Sequence, residues 1–162
     1  MTRAPSIRPF LLAALALVAA VALPAAAAPA AGATIGVIRK QHGVEMADGR
    51  KAVQLTVPAD IVGEKGQVVW MAVWFTDAAG KPLPTNDAGY GDADGNLKVV
   101  SLDTAITRER EGLDFVFRVP YIAFPRRKDG RYQVVANVKL IRRDTPKNRI
   151  LALGATSFFV EG

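Results

Sequence analysis

Reactive side chains are few in this chain of 162 residues. Beyond residue 33 it holds one histidine, His42, and two serines, Ser101 and Ser157, and there is no cysteine anywhere. A nucleophile, base and carboxylate triad would have to pair His42 with one of those serines, and neither lies in a Gly-x-Ser-x-Gly turn. His42 beside Gly43 reads instead as an edge or surface histidine at a strand bend. Zinc needs three or four His, Cys or carboxylate ligands at a workable spacing, which a single histidine does not anchor. No glycine-rich loop opens a helix, so nucleotide phosphates have no cradle. Carboxylates meeting in space for hydrolysis form the one catalytic arrangement left open, as a carboxylate-dependent hydrolase of unspecified substrate, because the sequence singles out no pair. Neither enzymatic activity nor a cofactor is expected.

The best metal candidate is the run Gly91-Asp92-Ala93-Asp94-Gly95-Asn96, with Asp103 farther on. Oxygens at Asp92, Asp94 and Asn96, two residues apart, match the start of a calcium loop, in which alternate side chains converge on one hard cation. The pattern then departs: loop position six, which needs glycine, is Leu97, and the twelfth position is Asp103 in place of Glu. A hairpin turn in which Asp94-Gly95 or Gly95-Asn96 supplies positive φ accounts for the same residues and is the favoured expectation.

Charge is unevenly spread. Residues 34–114 carry nine Lys and Arg against twelve Asp and Glu, whereas residues 115–149 carry ten basic residues against Asp129 and Asp144 alone. Arg126, Arg127, Lys128 and Arg131 form one block, and Arg142 and Arg143 another. The strand expected between them, Tyr132 to Ile141, is some 33 Å long. Solvated turns that discourage edge pairing explain both blocks. The functional expectation is an anionic partner: lipid head groups, an acidic polysaccharide or an acidic protein surface. Between Pro120 and Pro125 lies an apolar segment whose Tyr121 and Phe124 are expected to cap the core at a sheet crossover, or else to form an exposed aromatic contact beside Arg126 and Arg127.

The elements that must position these groups follow a leader. Residues 1–33 contain no acidic residue; Arg3 and Arg8 precede the uncharged run Leu11 to Leu23, and Pro24 then breaks the helix before small residues. That is the plan of a bacterial signal peptide, with small side chains for the peptidase at Ala25-Ala26-Ala27 and again at Ala31-Gly32-Ala33. Cleavage is therefore expected somewhere within 27–33, leaving a periplasmic or secreted domain over residues 34–162 with no bilayer span. It is expected to be a monomer or small oligomer. Export disfavours nucleic acid as a partner. The absence of cysteine excludes a disulfide scaffold.

Past the leader the period is that of strands. Val53, Leu55 and Val57 alternate with Gln54 and Thr56, and Leu113, Phe115 and Phe117 alternate with Asp114, Val116 and Arg118. The run Val68 to Phe75 is apolar on both faces and should be a central strand, with Trp70 and Trp74 sharing one face and filling the space between sheets. Ile35 to Met46, Leu97 to Leu102, Tyr132 to Ile141 and Ile150 to Val160 complete a set of about seven strands, punctuated by Asp-Gly and Gly-Lys-Pro turns. The expected fold is a single antiparallel immunoglobulin-like β-sandwich.

The order GVEMADGRKAVQLTV, VVWMAVWFTDAAGKPL, GYGDADGNLKV, FVFRVPYIAF and DGRYQVVANVKL, spanning about residues 43–141, resembles uncharacterised bacterial exported immunoglobulin-like sandwich modules. The resemblance is one of hydrophobic spacing and turns. It implies the sandwich fold and a binding or accessory role in the envelope, contacting a protein or anionic component through loops, and it brings no catalytic residues with it.

Overall fold

The computed structural model describes residues 31–128, 130–144 and 146–161. The leader expected over residues 1–33 lies, up to residue 30, outside the described residues.

Among the described residues, nine strands form two antiparallel sheets. In the first, the long β3 (Lys51–Val62) has β1 (Gly32–Ile35) and β2 (Arg39–Glu45) end to end along one edge and β7 (Arg110–Pro120) along the other. In the second, β8 (Tyr132–Arg142) lies between β9 (Arg149–Val160) and β4 (Val68–Asp77). The far side of β4 carries β5 (Lys98–Val100) and β6 (Thr104–Ala105), again end to end. Counting the end-to-end pairs β1 with β2 and β5 with β6 as one split strand each, this all-β sandwich has an immunoglobulin-like partition: the first, second and fifth positions share one sheet, and the third, fourth, sixth and seventh share the other.

Period-two alternation builds the core. Val53, Leu55, Val57 and Ile61 of β3 and Phe115, Phe117 and Val119 of β7 face inward against Val69, Met71, Val73 and Phe75 of β4 and Val134, Val138 and Leu140 of β8. Phe75, Phe124 and Phe158 meet edge to face, with ring centroids 5.6–6.4 Å apart, which is the favoured arrangement for ring quadrupoles. Without a disulfide, two polar devices fix the corners. Tyr132, at the start of β8, donates its hydroxyl hydrogen to the Pro125 carbonyl at 2.7 Å, the tyrosine-corner contact of such sandwiches. Glu64, buried in the turn after β3, accepts from Arg142 Nη1 at 2.7 Å, and Arg142 also grips Asp144 through Nε and Nη2 at 2.8 and 2.9 Å.

Three expectations require correction. Trp70 and Trp74 are half-buried and face outward from the second sheet, because β4 turns its other face, Val69 to Phe75 at alternate positions, toward the first sheet. The expected strand Ile35 to Met46 is broken at residues 36–38 and bulged between Gln41 and Val44, where Gly43 takes φ +70, a left-handed conformation that glycine adopts without a Cβ clash. For the Pro120–Pro125 segment it is the exposed-contact alternative that is corrected: Phe124 is fully buried in the aromatic cluster, as the core-capping expectation has it, and Tyr121, in the 3-10 turn Tyr121–Ala123, is half-buried.

Candidate functional site

The Asp92–Asn96 segment closes on itself. Asp92 Oδ1 accepts the backbone N–H of Asp94 at 3.0 Å and of Asn96 at 2.8 Å, and Gly95 supplies the positive φ of the turn. These amides, Asn96's foremost, hold the Asp92 carboxyl below its ordinary range. Asp103 sits away from this turn, paired with Arg143 at 2.8 Å. Among the described residues, no three His, Asp or Glu side chains gather in a way that could hold a metal ion.

The basic residues singled out by sequence fall into different environments. Arg142 is spent inside the fold between Asp144 and Glu64, and those two hydrogen-bonded carboxylates raise its pKa further. Arg143 is engaged by Asp103. Arg127 lies over the Tyr132 ring at 4.6 Å and 3.7 Å from Asp77. Arg126 and Lys128 are exposed in the connection before β8. Arg131 is exposed and stacks its guanidinium over Phe159 at 4.4 Å.

Arg131 and Phe159 also line a cleft of about 750 Å³ with His42, Gly43, Tyr121 and Glu161. The β2 bulge turns His42 toward the 3-10 turn. Its Nδ1 lies 3.0 Å from the Tyr121 hydroxyl, which also accepts the Gly43 N–H at 3.1 Å, and its ring meets Phe158 edge to face. Tyr121 and Arg131, ten residues apart in sequence, thus share one wall with a histidine far upstream. Neither serine lines this cleft: Ser157 lies on β9, where its carbonyl accepts from Lys40 at 2.9 Å, and Ser101 is bonded to the β4 backbone through the Met71 N–H.

The outer face of the second sheet is the larger feature, and sequence reasoning missed it by turning the tryptophans inward. Trp74 has Lys98 as its β5 partner and Asn137 as its β8 partner. Lys98 Nζ lies 4.9 Å and Lys139 Nζ 4.6 Å from the ring centroid, within cation–π range. Val100, Ile150, Leu153 and, nearer the His42 cleft, Phe159 are exposed on the same sheet. Strands β5, β6, β8 and β9 contain no carboxylate, and the single one in β4, Asp77, caps the turn that follows by accepting the N–H groups of Ala79 and Lys81.

The first sheet's outer face is built otherwise. Arg39 pairs with Asp114 at 2.9 Å and Arg110 with Asp60 at 2.6 Å, and Arg118 donates to Gln54. Its cations are answered by neighbours across the strands, whereas those over Trp74 and Phe159 are answered by rings. Compared with known proteins, the chain matches no family model, no curated protein and no solved structure.

Proposed function

We propose that the chain is a non-enzymatic binding module, exported to the periplasm or beyond, that takes an anionic partner on the outer face of its second sheet. The observation that carries this reading is the contrast between the sheets: Arg39 and Arg110 on one are consumed in ion pairs, and Lys98, Lys139 and Arg131 on the other rest on aromatic rings, the single carboxylate among its strands, Asp77, being engaged by its own turn. A cation over an exposed ring is held by only about 0.5–1 kcal/mol, so it is free to turn to a stronger anionic partner. A half-buried aromatic surface beside it supplies contact area that rigid rings give at small entropic cost. The loop blocks are poorer candidates, since Arg142 and Arg143 are already occupied. The Glu64 and Asp144 carboxylates are both bound by Arg142 and Glu64 is sealed from solvent, so that pair does not favour the hydrolytic reading.

Retention of the protein on an anionic matrix, measured as salt rises, tests the reading. Attraction should weaken steeply as the Debye length shrinks from about 10 Å at 0.1 M to about 3 Å at 1 M. Replacing Lys98, Lys139 and Arg131 together by Gln should abolish retention, while replacing the exposed Arg143, already engaged by Asp103, should leave it. Equal retention of the Lys98, Lys139, Arg131 variant and the parent would reject the sheet face as the contact.

A further inference from the structure

Beside Trp74 the outer face is indented into a groove of about 410 Å³ lined by Trp74, Thr76, Gly80, Asn137 and Lys139. Resting on the anionic-face reading above, we infer that this groove is a subsite for one uronate residue of an acidic polysaccharide. A uronate sugar presents an apolar C–H face, a rim of hydroxyls and one carboxylate, and the groove offers a counterpart for each. The indole of Trp74 is the apolar wall. Asn137 Nδ2 donates to Thr76 Oγ1 at 3.2 Å, which leaves a second amide N–H, the amide carbonyl and the Thr76 hydroxyl hydrogen for sugar hydroxyls. Lys139 supplies the cation, from a flexible stem that lets it leave the ring and follow the carboxylate.

The neutral groups decide between anion classes. A phosphate head group asks for clustered positive donors, and an amide and hydroxyl pair beside a ring gives it nothing a lysine would not. A polyol uses both. The groove also lies within a strand face, with half-buried Trp70 four residues along β4 on the same side, about 13 Å away, so a chain of sugars crossing the sheet meets a second ring.

Titration of the purified protein with oligogalacturonate, read by tryptophan emission and by calorimetry, tests the subsite. Binding should be seen, should be weaker by about tenfold for Lys139→Gln, since a charge-assisted hydrogen bond is lost, and should weaken for Asn137→Ala. Neutral galactose oligomers should bind worse than the uronate by a similar factor. Both substitutions lie on the sheet surface, and their thermal melts report whether the fold is kept. Retention on vesicles containing phosphatidylglycerol without any response to oligogalacturonate would overturn the uronate subsite and leave the anionic face standing. No retention on any anionic probe would overturn both. Equal binding of neutral and uronate oligomers would overturn the role given to Lys139.

Discussion

The hydroxyl of Tyr132 is anchored at 2.7 Å to the Pro125 carbonyl while its ring is buried beneath Arg127, and burial pushes its pKa above the ordinary 10. An acid whose folded pKa is raised contributes stability that is fully present below the unfolded value and is lost as pH climbs through the folded one. Tyr132→Phe should therefore cost about 0.5–1.5 kcal/mol at neutral pH, the net worth of one hydrogen bond. Above pH 10 that difference should shrink, because the parent loses what the variant never had. Thermal melts of both proteins from pH 7 to 11 check this, and a difference that persists undiminished at pH 11 would contradict the corner's role. Arg142 shows the same dependence on surroundings. Its neighbour Arg143 reads identically in sequence, yet Arg142 reaches across to Glu64, 78 positions away, and holds a carboxylate of which 1% is exposed. No spacing rule shows that Glu64 would be buried, so free and spent charges were indistinguishable before the fold.

At the scale of elements, the long strands were legible because one face of each is apolar and the other polar, as in β3 and β7. β4 defeated that logic. Val69, Met71, Val73 and Phe75 on one side and Trp70, Ala72 and Trp74 on the other are both apolar, and only its neighbours, Lys98 on β5 and Lys139 on β8, show which side meets water. Their ammonium groups lie over the Trp74 indole, so a large aromatic is half-buried without belonging to the core. The two-residue β6 and the break between β1 and β2 carry no periodic signal of their own. That break lets β1 swing against β9, where Ile35 packs on Gly154. A Cβ on Gly154 would lie 2.9 Å from Ile35 Cγ2, and a β-branched methyl cannot simply turn aside. Gly154→Ala should cost about 1–3 kcal/mol by overpacking, and Ile35→Ala in the same chain should recover part of it. Urea denaturation of the two single variants and the double variant measures the coupling. Strict additivity would mean that β1 does not press on β9 as described.

At the scale of the molecule, the first strand decides how much chain the sandwich needs. β1 pairs Gly32 with Val62, Ala33 with Ile61, Thr34 with Asp60 and Ile35 with Ala59, so the domain boundary read from sequence at residue 34 passes through a paired strand. A chain beginning at Thr34 forfeits the first two pairs and places a charged amino terminus inside the ladder. One beginning at Ala28 keeps all four. Each lost backbone hydrogen bond is worth about 0.5–1.5 kcal/mol net. With a domain of this size the shorter chain should melt roughly 3–8 °C lower. Under the proposed export, the two small-residue motifs would differ in their effect, since processing at Ala25-Ala26-Ala27 would leave β1 whole and processing at Ala31-Gly32-Ala33 would remove half of it. If the chain is exported as proposed, mass measurement of the mature protein should find an N-terminus near Ala28, and melts of the two chains should rank in the order given. Equal melting temperatures would show that Gly32 and Ala33 add nothing to the ladder, and the sandwich would then begin at Thr34 as its sequence alone suggests.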